Sequence, residues 1–413
     1  MYNMTLAMIV KNEESNIVGC LESVTPYIDY YVICDTGSSD KTKELIKEYF
    51  DSKNIPGEIH DHEWEDFGTN RSKALKLCHG KTKWALMIDA DDRISGKFPI
   101  DKLDDNVDGY AVTIKRSSFS WARAQVFNLG KKLWWYEEPL HEYAICEQPM
   151  QVAKLEGDYA WDVRTQGCRA KQFNNDDVAK YKNDYEVLKK YLEKDANQPR
   201  KQFYAAQSAF DARMYDIAEE EYLKRVELGS WEEEIFFSWM RIGICRELQK
   251  KPLPEVADAF MRAYEVKPNR VEPLYHLSCI YRAHNRPKNA FMIATHGLGM
   301  PIPNNEILFV DTANYLWGIL DEVATTAFYA GRIHMGLAAC EKLLAEPHLP
   351  QDQRERVTNN RNAYLQAVQA HQMQVNGDQM QQMQNIKNAA QKIANQAKQT
   401  TLDIDPEKLV VKL

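Results

Sequence analysis

The sequence predicts an α/β domain with a mostly parallel sheet, followed by an all-helical repeat domain and a helical tail. Three observations carry this. Short apolar runs alternate with helix-like stretches over residues 1–95, the spacing of βαβ units. From about residue 175 apolar residues recur at three- and four-residue steps, the helical period. After about Val368, Gln, Asn and Met crowd the chain while Trp and Tyr avoid it.

The elements follow in order. Thr5–Val10 is an apolar run that reads as a buried strand. Asn12-Glu13-Glu14-Ser15 starts a helix whose inward face is Ile17, Cys20, Leu21 and Val24. Tyr30–Cys34 is a second strand, closed by the polar turn Asp35-Thr36-Gly37-Ser38-Ser39-Asp40, and Thr42–Phe50 is helical. Glu58–His60 is a short third strand, Lys73–Cys78 a helix, and Trp84–Ile88 a fourth strand ending in Asp89-Ala90-Asp91-Asp92. Residues 100–165 are richer in strands, with Tyr110–Ile114 and Trp134–Tyr136 the clearest. Val178, Tyr181, Tyr185, Leu188 and Leu192 then mark a long helix. Phe203, Phe237 and Leu274 open comparable helix pairs, 34 and 37 residues apart. A period near 34 with paired helices is tetratricopeptide-like, and Pro268 stops a second helix as such repeats do. Helices continue to about Leu344, Pro347 and Pro350 break the pattern, and polar helices fill 351–400. The expected domains are 1–170, 171–345 and 346–413.

Composition narrows the function. The chain has 413 residues, with 52 Lys+Arg against 60 Asp+Glu and a net charge of −8. That balance argues against generic polyanion binding, which needs a basic surface. The 44% apolar and 11% aromatic content supports packed cores. No apolar run reaches the roughly 18 residues of a membrane span. Residues 1–10 lack a basic leader region and run into the first strand. The eight cysteines form no CxxC pair, and reduced thiols are expected.

Four groups carry chemistry. In parallel sheets, ligands bind beyond the carboxyl ends of the strands. Asp89 and Asp91 stand at one such end, where paired carboxylates can hold a divalent cation that neutralises a diphosphate. Asp35 stands at another and can accept a hydrogen bond from a base ring N–H, while Asp40 caps the next helix. Asn70 and Arg71 lie at an expected helix start, a place that favours phosphate. In Trp134–Glu142, His141 can add a metal ligand and a nearby carboxylate can act as general base.

Together these motifs resemble family-two glycosyltransferases of the GT-A fold. The matching residues are Met8–Glu14, Val32–Asp40, Phe67-Gly68 with Asn70-Arg71, Asp89–Asp92 and His141-Glu142. The helical part resembles the tetratricopeptide-like extension of such enzymes in bacteria and large DNA viruses, through Phe203–Ser208, Lys224–Glu234 and Pro268–Tyr275 among others. The resemblance implies an inverting transferase with a nucleotide-sugar donor, commonly a UDP-sugar, and Mn²⁺ or Mg²⁺. It implies donor binding by Val10, Asn12, Glu13, Asp35, Asn70, Arg71, Asp89 and Ala90, and metal binding by Asp91, Asp89 and His141. Asp35 would read the base. The usual Ala-Arg-Asn after Phe-Gly is here Thr69-Asn70-Arg71, which leaves the polar role to Asn70 or to Arg71. Glu142, Glu138 and Asp92 are the candidates for the catalytic base. The acceptor is a glycan, a protein or a modified nucleobase, and the repeats could present a macromolecule. Trp121, Trp134, Trp135 and Tyr136 are candidates for stacking on a sugar. The implied location is the cytoplasm, that of the host where the chain is viral. The alternatives are an inactive repeat scaffold and a nucleotidyltransferase. Met373, Met380, Met383, Ile386, Ala390, Ile393 and Ala397 form a weak apolar stripe, expected to pack on the last repeat or to mediate self-association through 366–400.

Overall fold

The computed structural model describes residues 3–116, 119–163, 172–174, 176–375 and 386–395. The chain divides into two compact units, Met1–Lys194 with Ile307–Phe309, and Asp195–Glu306 with the residues from Val310 onward. The first break therefore falls after residue 194, where residue 170 was expected. The long helix Asp177–Leu192 belongs to the first unit. No separate unit begins at 346.

In the first unit the strands are β1 (Met4–Val10), β2 (Tyr30–Asp35), β3 (Gly57–Asp61), β4 (Trp84–Met87), β5 (Arg93–Gly96), β6 (Gly109–Arg116), β7 (Phe119–Asn128), β8 (Trp134–Glu137), β9 (Tyr143–Cys146), β10 (Val152–Lys154) and β11 (Tyr159–Asp162). The main sheet has the order β3-β2-β1-β4-β7-β6-β11-β5. β3, β2, β1 and β4 run parallel. β7 is antiparallel to both β4 and β6, and β5 is antiparallel to β11, so the sheet is mixed. β8 and β9 form a separate antiparallel pair.

Alternation along the strands builds two cores. Met4, Leu6 and Met8 pack with Ile17, Leu21, Ile46 and Phe50, from helices α1 (Ile17–Val24) and α2 (Thr42–Lys53). Ala7, Val32, Ala85 and Met87 pack on the other face with Ala74, Leu75 and Cys78, from α3 (Phe67–Cys78). The parallel strands read as near-continuous apolar runs because both faces are covered. α3 begins earlier than the expected Lys73. Asp66 caps it, its carboxylate accepting the Thr69 N–H at 2.7 Å. The last helix of this unit, α4 (Asp177–Leu192), buries Tyr181, Tyr185 and Leu188.

The second unit stacks helix pairs: α5 (Pro199–Asp211) with α6 (Tyr215–Glu227), α7 (Glu232–Leu248) with α8 (Leu253–Val266), and α9 (Glu272–Ala283) with α10 (Pro287–Gly297). The three predicted openers Phe203, Phe237 and Leu274 are all buried in α5, α7 and α9. α11 (Ile319–Thr326), α12 (Ile333–Ala345) and α13 (Gln351–Val375) follow. A further helix spans 386–395. It buries Ala389 and Ile393, and its Lys392 and Asn395 share a crevice with Asn359, Asn362 and Gln366 of α13. Of the expected tail stripe, Ile386, Ala390 and Ile393 are described and at least half-buried. Met380, Met383, Ala397 and the Met373 side chain lie outside the described residues.

Seven cysteines are described, and each is a buried free thiol; Cys168 lies outside the described residues. No described helix is long and apolar enough to cross a membrane.

Candidate active site

The carboxyl ends of β1, β2 and β4 open into a cleft of about 910 Å³. Val10, Asn12, Glu13, Thr36, Arg71, Asp89, Ala90 and Asp91 line it from the strand side. Trp64, Phe67, Phe173, Asn183 and Tyr191 line it from the loop before α3, the segment before α4 and α4 itself.

The β1 and β2 ends are tied together. The Thr36 N–H and hydroxyl both donate to the Val10 carbonyl, at 2.9 and 3.0 Å. Asn12 has a left-handed φ of 53°, and its side-chain oxygen accepts the Ser39 N–H at 2.7 Å. The Glu13 N–H donates to Thr42 Oγ1 at 2.8 Å, and its carboxylate accepts from the Asn16 amide at 2.8 Å. Asp35 is 1% exposed. Its Oδ1 accepts the Gly37 and Ser38 N–H groups at 2.9 and 2.8 Å, a turn that Gly37 permits with φ 97°. Asp35 Oδ2 is buried with no hydrogen-bond partner among the described residues. Burying such an atom without a donor is costly, so a donor from a ligand or a water would stabilise it. Asp40 accepts the Thr42 N–H at 3.0 Å and its hydroxyl at 2.5 Å. Burial opposes its ionisation, but those bonds hold the carboxyl below its usual range.

α3 separates the two residues that the sequence left as alternatives. Asn70 is fully buried, with its amide donating to the Glu63 carbonyl at 3.0 Å and its oxygen accepting the Glu65 N–H at 3.0 Å. Both ends of Asn70 are thus spent on the loop before α3. Arg71, one residue on, lines the cleft. Its Nη2 donates to Asp89 Oδ1 at 2.5 Å and its Nε to Glu142 Oε1 at 2.8 Å, while the guanidinium lies 5.8 Å from the Tyr136 ring. Arg71 Nη1 is buried without a partner among the described residues. Burial works against the charge, yet Asp89 and Glu142 keep the guanidinium firmly protonated.

Asp89 is held from two sides. Arg123 Nη2 lies 3.5 Å from its Oδ2, opposite Arg71. Burial pushes the Asp89 carboxyl up, but the two guanidinium groups outweigh it and lower it. Asp91 lines the cleft with its side chain part-exposed. Asp92 is 3% exposed and accepts the Trp161 indole N–H at 2.9 Å. Burial, reinforced by Asp89, pushes its carboxyl up to about 8.

His141, Glu138 and Glu142 lie on the turn between β8 and β9. Glu138 and His141 adopt left-handed φ values of 76° and 56°. Each such non-glycine conformation costs about 1–3 kcal/mol, and such strain gathers at functional sites. The turn presses on α3, since a Cβ on Gly68 would sit 2.5 Å from the Glu138 carbonyl oxygen. Among the described residues, no three of His, Cys, Asp and Glu come together to cage a metal ion. Asp89, Asp91 and His141 therefore do not form a ready-made three-ligand set. A hard cation at a phosphate site takes most of its ligands from phosphate oxygens and water, so one or two carboxylates at the cleft are enough to fit one.

Of the aromatics expected to stack on a sugar, Trp134 and Tyr136 are core residues, 3% and 5% exposed, packed on Phe127. Trp121 packs edge-on against Phe309. The aromatics that reach the cleft are Trp64, Phe67, Phe173 and Tyr191. Sequence reading missed these, and it missed Arg123. No local pattern marked Arg123, because β7 bulges between Ala124 and Val126 and so puts Trp121 and Phe127 in different cores.

Residues 5–131 match the family model described as glycosyl transferase family 2. A stretch of 87 residues is 32% identical to the lipopolysaccharide core biosynthesis glycosyltransferase LpsC of Rhizobium meliloti, covering 21% of this chain and 31% of that protein. Another match, 30% identical over 95 residues, is to a TPR repeat-containing protein of Synechococcus elongatus, covering 23% of this chain and 22% of that protein. The chain thus spans less than a third of the length of these curated relatives. Among solved structures, TarS of S. aureus (residues 1–349, in complex with UDP-GlcNAc) aligns at 14% identity, covering 80% of this chain and 92% of that one, with a TM-score of 0.32. MamA aligns at 14% identity over 44% of this chain and 96% of that one, with a TM-score of 0.34. The N-terminal part of this chain carries a glycosyl transferase family 2 domain, and a region of stacked helix pairs follows it.

Proposed function

We propose that this chain is an inverting glycosyltransferase that moves a sugar from a nucleotide-diphosphate sugar, preferably a UDP-sugar, to an acceptor bound in the same cleft. The observation that supports this most is two unsatisfied buried atoms, Asp35 Oδ2 at the end of β2 and Arg71 Nη1 on α3. One is an acceptor and one a cationic donor, as a nucleobase N–H and a diphosphate would require. Asp35 takes the base, with Val10, Asn12 and Glu13 shaping its slot. Arg71 takes the diphosphate. Asp89 and Glu142 hold Arg71 in place, and Ala90 lets the chain pass close to the donor.

In this reading the acceptor nucleophile forms a bond to the anomeric carbon from the face opposite the diphosphate. The anomeric C–O bond breaks and its electron pair leaves on the diphosphate. The Arg71 charge stabilises that leaving group where charge develops. Asp91 would hold Mn²⁺ or Mg²⁺ against the phosphates, and that cation, when bound, would supply further neutralisation. The acceptor proton passes to a carboxylate. Glu142 is the proposed base, through the oxygen that Arg71 does not take. Asp92 is poorly suited, because burial already favours its protonated form near neutral pH. Glu138 stands on the same strained turn as Glu142.

The test is donor turnover across a panel of nucleotide sugars, with and without Mn²⁺, in the wild type and in Asp91→Asn. Sugar transfer or slow donor hydrolysis that depends on the cation and falls in the variant supports the reading. Unchanged turnover in Asp91→Asn contradicts the metal assignment. Release of pyrophosphate instead of a nucleoside diphosphate would make the chain a nucleotidyltransferase, and failure to bind any nucleotide sugar would favour the scaffold reading.

A further inference from the structure

We propose that Trp64 and Tyr191 form the acceptor subsite of the cleft and that this subsite takes a hexopyranose ring, so that the acceptor is a glycan. The inference rests on the reading above, in which the same cleft holds the donor.

Trp64 and Tyr191 are 43% and 38% exposed, and both line the cleft. The Trp64 ring is braced on one side. Trp64 meets Phe67 edge-on at 4.7 Å and 81°, and Phe67 is the first residue of the helix that carries Arg71. Tyr191 stands in the last turn of α4, with the Lys194 ammonium 5.8 Å from its ring. A fixed aromatic ring that keeps apolar area in water gains free energy when a ligand covers it. Polar groups share the same cleft: the amides of Gln172 and Asn183 and the carboxylate of Glu65. A pyranose ring has an apolar C–H face and a rim of hydroxyl groups. The aromatic rings match the face, and the amides and carboxylate match the rim.

Charge separates this occupant from the others. Of the charged residues that line the cleft, Glu13, Glu65, Asp66, Asp89 and Asp91 are acidic and Lys11 and Arg71 basic. With Arg71 assigned to the donor diphosphate, the acidic excess opposes the further phosphates of a nucleic-acid acceptor. A neutral sugar meets no such penalty.

The test uses the full chain saturated with UDP. Maltotriose, cellotriose, chitotriose and mannotriose are titrated by calorimetry into the wild type, Trp64→Ala and Tyr191→Ala, and UDP affinity is measured in all three. At least one trisaccharide should bind the wild type. Each alanine variant should weaken that binding by about tenfold, equivalent to about 1.4 kcal/mol, while UDP affinity stays within about twofold. Trp64→Phe should restore part of the loss, because it returns a ring to the same place. The proposal is overturned if no trisaccharide binds, if the alanine variants bind as well as the wild type, or if a single-stranded oligonucleotide binds in their place with the same dependence on Trp64. If UDP itself fails to bind the wild type, the donor reading fails, and sugar binding that still depends on Trp64 would then leave a carbohydrate site without a transferase.

Discussion

One arginine–carboxylate pair in each unit shows how the same contact can serve two ends. In the helical unit Arg282 Nη2 donates to Glu322 Oε1 at 2.7 Å, and Glu322 also accepts the Ser278 hydroxyl at 3.1 Å. The Glu322 side chain is 3% exposed. In the first unit Arg71 Nη2 donates to Asp89 at 2.5 Å, but the Asp89 side chain keeps 29% of its surface open at the end of a strand. The sealed pair ties α9 to α11. Both arginines leave Nη1 without a partner among the described residues; what sets Arg71 apart is that it lines the cleft, with its position fixed by two carboxylates. Preorganised charge at the edge of a cleft is what transfer chemistry on a diphosphate needs. Sealed charge inside helices holds structure together.

Mutation should separate the two pairs. Arg282→Ala leaves Glu322 buried without its cation, so it should lower the unfolding free energy by about 3–5 kcal/mol. Denaturant titration reads this, and donor turnover per folded molecule should not change. Arg71→Ala should do the reverse in emphasis, with donor turnover falling on the order of 100-fold, as when a preorganised charge-stabilising donor is lost. Steady-state assays on the folded fraction check it. Equal behaviour of the two variants would erase the distinction.

A titration sharpens the contrast further. His276 on α9 stacks on the Phe260 ring at 5.9 Å, and its Nδ1 is buried without a partner among the described residues. Burial, helped by Arg241, lowers its titration from 6.5 to about 4. The unfolded chain therefore binds this proton more readily than the folded one. The stabilisation is complete above about pH 6.5 and is lost as pH falls towards about 4, on the order of 3 kcal/mol in all. Denaturant midpoints across that window should show the slope, and His276→Phe should flatten it. The smallest effect is expected at Asp35. Asp35→Asn keeps the oxygen that accepts from Gly37 and Ser38 but removes the charge, so nucleotide affinity should fall about tenfold with little loss of stability. Calorimetry with UDP reads the first and a thermal melt the second.

What could be read from the sequence followed the strength of local signals. β1 and β2 are apolar runs buried on both faces, and Asp35 and Asp91 could be placed because each follows such a run. The repeat openers Phe203, Phe237 and Leu274 kept their period because each fills the same place in a helix pair. β7 was not legible, since Ser120, Arg123 and Gln125 interrupt its apolar pattern, and its antiparallel place between β4 and β6 is a tertiary matter. The start of α3 was misjudged because Asp66, not an apolar stripe, sets it. Trp64 lies in a loop where no periodicity applies, so only the fold shows that it reaches the cleft. The different surroundings of Asn70 and Arg71 were not legible either, for neighbours on a helix point about 100° apart.

The central claim is that the strand-end cleft binds a nucleotide-diphosphate sugar through Arg71. The most direct test is calorimetric titration of UDP-sugars into the full chain and into Arg71→Ala, in the presence of Mn²⁺. The account predicts saturable one-to-one binding to the wild type and a loss of at least about tenfold in the variant. Binding of equal strength to both proteins, or none to the wild type with any nucleotide sugar, would contradict it.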